Sequence, residues 1–175
     1  MNWELRRRQS IFVGVFLVAL FFVHHVYAGR PRPERPYRHS VVDMPVSLAV
    51  GTVQTPEFSG RTSWYWIMVR VEPTLPFNQM RCMMGTTSGP LERTNCDYPL
   101  LRADWVAWED GHIVLSGSST TEGDAKFGDD HIIKFIGSFP VLSGKKYVVV
   151  VKFTRDGTPL NVANPHLIIT KIGGE

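Results

Sequence analysis

Two stretches of this chain alternate with a strict period of two, and they decide its fold class. Residues 63–72 (SWYWIMVRVE) put Tyr65, Ile67, Val69 and Val71 on one face and Trp64, Trp66, Met68 and Arg70 on the other. Residues 145–154 (KKYVVVVKFT) repeat the pattern with Tyr147, Val149, Val151 and Phe153. Side chains of an extended strand point alternately to opposite faces, so each stretch is a strand with an apolar inner face. The β-branched content disfavours a surface helix. A one-residue slip would exchange the two faces of residues 63–72, and Arg70 chooses between them. Burying its guanidinium unpaired costs far more than exposing two indoles, so Ile67 and Val69 are expected in the core.

The rest of the chain after Val41 follows the same period. Residues 103–109 and 112–116 flank Asp110-Gly111, a dipeptide suited to a type I′ hairpin turn, which would place Val106 and Trp108 on one face with Ile113 and Leu115. Further strands are expected at residues 46–53, 131–138 and 166–171, separated by Ser59-Gly60, Ser143-Gly144, Asp156-Gly157 and Asn164-Pro165. Residues 77–84 are the best candidate for a short helix. Seven strands and no long amphipathic helix predict an all-β protein, an antiparallel β-sandwich of Ig-like or jelly-roll-like kind spanning residues 41–175. The chain has 175 residues, 43% hydrophobic and 20% charged, enough for one core without metals.

The amino-terminal segment has a different character. Three arginines (Arg6, Arg7, Arg8) precede an unbroken apolar run at residues 11–23. That is the layout of an export signal, with Val26-Tyr27-Ala28 fitting a cut before Gly29. Extended to Ala28, the run has 18 residues and spans about 27 Å as a helix, close to the ~30 Å of a hydrocarbon core. Residues 1–28 are therefore a cleaved signal peptide or a single transmembrane anchor. Residues 29–40 (GRPRPERPYRHS) alternate Pro and Arg, as in an extended, self-repelling linker whose 12 residues reach on the order of 35 Å. Its arginines either touch anionic headgroups or are simply solvated.

The formal charge of +3 belongs to this segment. Seven arginines lie in the first 40 residues, and from Val41 onward there are 12 basic against 14 acidic residues. The globular part lacks the basic surplus of a nucleic-acid binder, so no nucleic-acid partner is expected.

Cys82 and Cys96 are the only cysteines. In an exported domain they point to one disulfide, which would stabilise the fold by ~3 kcal/mol on chain-entropy grounds; the alternative is two buried thiols. No metal site is expected. The acidic stretch at residues 121–131 (TEGDAKFGDDH) lacks the order of a calcium loop and reads as a solvated turn. His112, His131 and His166 are scattered singly, and no nucleophile-elbow, zinc-protease or phosphate-loop pattern occurs. No catalytic residue and no cofactor are assigned, and the protein is read as a non-enzyme.

Trp64 and Trp66 are the candidate binding surface. On an exposed sheet face their rings would suit a protein interface or stacking on sugar, unless the long stretch at residues 73–99, rich in Met, folds back over them as a lid.

Several segments together resemble small, exported, uncharacterised bacterial β-sandwich proteins. These are the aromatic strand at residues 65–71, the Cys-containing segment ending at Gly85, Ile136-Gly137-Ser138-Phe139, the run from Gly144 to Val150, and Asn164-Pro165 before a closing strand. The resemblance covers about residues 60–170 and implies a sandwich fold and no activity. The expected function is a non-catalytic structural or protein-interaction module of the cell envelope. It would sit on the inner membrane facing the periplasm, through residues 11–28, or be periplasmic or secreted if cut after Ala28. The alternative is a carbohydrate- or peptidoglycan-binding module using Trp64 and Trp66.

Overall fold

A computed structural model describes residues 39–85, 100–119, 125–127 and 131–172, all within the unit Pro36–Glu175. The described chain runs β1 (Ser40–Pro45), β2 (Gly51–Gln54), β3 (Ser63–Val71), α1 (Phe77–Met84), β4 (Ala103–Glu109), β5 (His112–Ser118), β6 (Ala125–Phe127), β7 (Ile132–Val141), β8 (Tyr147–Phe153), a 3-10 turn (Thr158–Ala163) and β9 (His166–Lys171). Two antiparallel sheets form a sandwich, ordered β1-β9-β3-β7-β6 and β2-β8-β4-β5. The pairings nest: β4 with β5, β3 with β7, β2 with β8, and β1 with β9.

The core lies between the sheets. Tyr65, Ile67, Val69 and Val71 of β3 face Tyr147, Val149, Val151 and Phe153 of β8 and Ala103, Trp105 and Ala107 of β4, all buried. This is the inner face that the alternation selects. Trp105 lies against two glycines: a Cβ on Gly117 would press its ring at 3.0 Å, and one on Gly137 would overlap it. The hydroxyls of Tyr65 and Tyr147 each accept a hydrogen bond from an amide shortly upstream, Arg61 at 3.1 Å and Leu142 at 2.8 Å, which closes the turns before their strands. In the β4–β5 turn Asp110 and Gly111 both have positive φ (46° and 85°), as a type I′ turn requires.

Several expectations change. The strand expected at residues 46–53 is realised in part, as β2 at Gly51–Gln54, whereas residues 46–50 connect it to an earlier strand, β1, that lies wholly before the expected segment. The amide of Val46 pairs with the Pro165 carbonyl and that of Leu48 with Asn161 Oδ1, so this connection is held by the other chain end instead of a ladder. A bulge between Ala107 and Trp108 leaves Trp108 opposite Ile113 but puts Leu115 opposite Ala107, which separates Leu115 from the face of Val106 and Trp108. The acidic stretch contains β6, which pairs with the start of β7; its remaining residues other than His131 lie outside the described residues.

The lid expectation is also corrected where it can be read. Met80 and Met84 of α1 are fully buried in the main core, so the helix packs into the sandwich interior and not over the indoles. Its apolar side chains are most favourably placed where the two inner faces leave apolar surface to cover. Gly85 ends the helix in the left-handed conformation (φ 72°), its amide bonded to the Cys82 carbonyl. The buried Lys134 projects inward from β7 and donates to the Gly85 carbonyl at 3.2 Å, a cation at a helix C-terminus. Residues 86–99 lie outside the described residues.

Candidate functional site

The outer face of the five-stranded sheet carries the predicted pair. Trp64 is 51% exposed, whereas Trp66, two residues on, is half-buried with its ring edge-on to Phe135 at 4.9 Å and 67°. Further along this face Met68, Ile168 opposite it on β9, and Ile133 on β7 are fully buried and form a second apolar cluster with Trp66 and Phe135. The expected solvent-facing row of Trp64, Trp66, Met68 and Arg70 is therefore exposed only at Trp64. Alternation assigns a face but not its cover, which is why Met68 escaped a reading based on period alone. Trp64 has apolar company: Pro140 lies opposite it on β7, the Ile172 amide donates to its carbonyl at 2.9 Å, and Leu142, just beyond the end of β7, is 51% exposed.

At the other end of this face sits a polar cluster. Asp43 on β1 contacts His166 Nδ1 on β9 at 2.6 Å and Arg70 Nη2 on β3 at 3.7 Å. The side chains are 10%, 4% and 15% exposed, so one carboxylate joins three adjacent strands in a nearly dry setting. His166 is thus not the surface histidine its isolated position implies, and Arg70 is outward but not solvated. Sequence separation hid the cluster, since Asp43 and His166 lie 123 residues apart. The three side chains hold strands together.

The four-stranded sheet has an outer face of another kind. Trp108 lies between Val148 on β8 and Ile113 on β5, and Val106 lies opposite Val150 in the next row. Ile113 is 59% exposed and the other four are half-buried. Exposed Lys152, Asp104 and Ser118 form a polar row at one end of the patch, with Ser118 donating to Asp104 at 2.6 Å. The hairpin turn places Val106, Trp108 and Ile113 on one face, and a second signal marks that face as a contact surface: YVVVVKF is apolar on both faces, the composition of a strand covered on both sides.

The turn beside this patch is ionic. Lys145 Nζ lies 2.9 Å from Asp110 Oδ2 and 3.7 Å from Glu109, and Lys146 lies 3.3 Å from Glu57. The hydrogen bond from Lys145, then that from the Lys146 amide, lowers the Asp110 pKa, and the same contact with Asp110 raises that of Lys145. Tyr147 donates to the Glu109 carboxylate; burial first, and that bond next, raise its phenol pKa. These contacts order a hairpin and a neighbouring loop.

Cys82 lies half-buried on α1, and no cysteine among the described residues is free; Cys96 lies outside them. Among the described residues no group of three His, Cys, Asp or Glu could hold a metal ion. No helix among them is long and apolar enough to cross a membrane, and residues 1–28 lie outside them. No family model and no curated protein matches the chain. Its fold is similar to that of a crystal structure of a protein from Sulfurospirillum deleyianum, with a TM-score of 0.52 at 10% identity, over 75% of this chain and 97% of that one. At that identity the likeness shows the fold alone, a β-sandwich shared by a distant neighbour.

Proposed function

We propose that this chain is an exported jelly-roll module of the bacterial cell envelope, held at the inner membrane by residues 11–28 or released by a cut after Ala28, which works by contact with another envelope protein and not by catalysis. The nested pairing of first strand with last, apart from the added β6, favours jelly-roll over Ig-like winding. The observation that carries the interaction reading is the apolar outer face of the four-stranded sheet. Trp108, Ile113, Val106, Val148 and Val150 form one patch across three strands with a polar rim, the anatomy of a protein interface. Export is supported by the arginine-led apolar run, and a Cys82 to Cys96 disulfide belongs to the same reading.

Two experiments test it. Alkaline phosphatase fused after Glu175 is expected to be active; an inactive fusion alongside an active cytoplasmic reporter overturns the export reading. A photo-crosslinking residue at Ile113 in cells is expected to give one discrete protein adduct that the same residue at Lys152 gives weakly, and equal, diffuse labelling at both overturns the interaction face. A glycan-binding reading has one observation in its favour, the exposed indole of Trp64, though Trp66 is engaged with Phe135. Co-sedimentation with peptidoglycan that is lost in Trp64→Ala would establish it.

A further inference from the structure

The exposed apolar corner around Trp64 is separate from the interaction face just described, and it coincides with the place where the chain enters the domain. Ser40 pairs with Thr170, and Thr170 with Trp66; Thr170 Oγ1 also donates to the His39 carbonyl at 3.3 Å. The linker therefore joins the sheet at β1, two strands from β3 and about 10 Å away at the usual strand spacing, at the level of Trp66 and at the same end of the sheet as Trp64. That corner presents Trp64 and Leu142, each 51% exposed, with Ile172 and Pro140 half-buried beside them and the exposed Arg61 close by in the chain. On the other side of this junction the sequence runs back through Arg38, Arg35, Arg32 and Arg30 to the apolar run at residues 11–28.

We infer that the Trp64 corner is a membrane seat, which lays the domain on the lipid bilayer that holds its own amino-terminal anchor. The inference rests on the anchored form of the proposed function. An indole is suited to the headgroup level, where its ring meets acyl chains and its N–H meets water. Leucine, isoleucine and proline beside it add apolar area to a shallow insertion, and Arg61 supplies a cationic group for anionic headgroups. The linker, whose 12 residues reach on the order of 35 Å, keeps the corner at high effective concentration next to the surface. Because chain and corner share one end of the sheet, seating the corner requires no reversal of the linker. The patch on the four-stranded sheet stays free for a protein partner.

The test uses the full chain with Trp3→Phe, since Trp3 precedes the apolar run and would report on the bilayer by itself. The protein is reconstituted into vesicles of phosphatidylethanolamine and phosphatidylglycerol, with and without bromine on the acyl chains. Brominated lipid is expected to quench tryptophan emission, and Trp64→Phe in the same background is expected to remove most of that loss. Leu142→Glu should also weaken the quenching while the protein still floats with the vesicles. Flotation with equal quenching in the Trp64-containing and Trp64→Phe chains overturns the membrane seat and leaves the anchor standing. Trp64 shielded from aqueous iodide but untouched by brominated lipid also overturns it, in favour of a protein or a second copy on the corner. Failure to float at all overturns the anchored reading and the seat with it.

Discussion

Replacing Asp43 by Asn tests the most consequential contact that the tertiary structure adds. The substitution keeps the shape of the side chain and removes its charge, leaving the Arg70 guanidinium and the His166 imidazole nearly buried beside a neutral amide. Loss of a short hydrogen bond to a charged group costs about 1.5–3 kcal/mol. The Arg70 contact is longer, at 3.7 Å, and its loss at a guanidinium that is 15% exposed adds about 1 kcal/mol. The sum is about 3 kcal/mol, equivalent to a drop in Tm of roughly 6–12 °C for a chain of this size. Guanidinium melts of the full chain in mild detergent measure the loss, and hydrogen exchange should show β1 amides opening first, because among the described residues β1 is an edge strand paired with β9. The composition of residues 63–72 gives under about 1 kcal/mol for Arg70→Ala, as for a solvated side chain; the ion pair raises this to about 1–2 kcal/mol. A double-mutant cycle of Asp43→Asn with Arg70→Gln should give clear coupling. Zero coupling, or an Asp43→Asn cost below about 1 kcal/mol, would refute the view that this carboxylate ties three strands together.

Three further outcomes are expected. Ile67→Ala, at a fully buried position, should cost about 2–5 kcal/mol in a denaturant melt while Trp64→Ala costs under about 1; the reverse order would turn the sheet inside out. Gly137→Ala should cost about 1–3 kcal/mol and perturb the near-ultraviolet signal of Trp105, and a neutral result would mean that the ring yields easily. For Tyr147 the sign follows from its raised pKa: the folded chain keeps the phenol proton where the unfolded chain loses it, so stability is full below pH 10.0 and falls as pH rises through the folded value. Tyr147→Phe should therefore melt lower at neutral pH, having lost the Leu142 and Glu109 bonds, and show a shallower alkaline decline; an unchanged slope would assign the decline to other groups.

What local chemistry dictates was legible in the chain itself. The alternation at residues 63–71 put Tyr65, Ile67, Val69 and Val71 inward, Asp110-Gly111 specified a type I′ turn, and the bounds of α1, β4 and β9 match the expected segments. Each of these depends on residues a few positions apart, whose preferences survive in any compact arrangement. Other features depended on partners the chain brings from far away. The expected strands omit β1, whose neighbour in the sheet, β9, lies at the opposite end of the domain. The outward Met68 is buried with Ile133 and Ile168, and the outward Arg70 reaches Asp43, although both alternate like solvated residues. Lys134 takes an inward position, where the end of α1 presents the Gly85 carbonyl to its amine. Period two tells which face a side chain takes; what that face meets is set by contacts between residues as far apart as Asp43 and His166, 123 positions, and these exist only once the strands have nested.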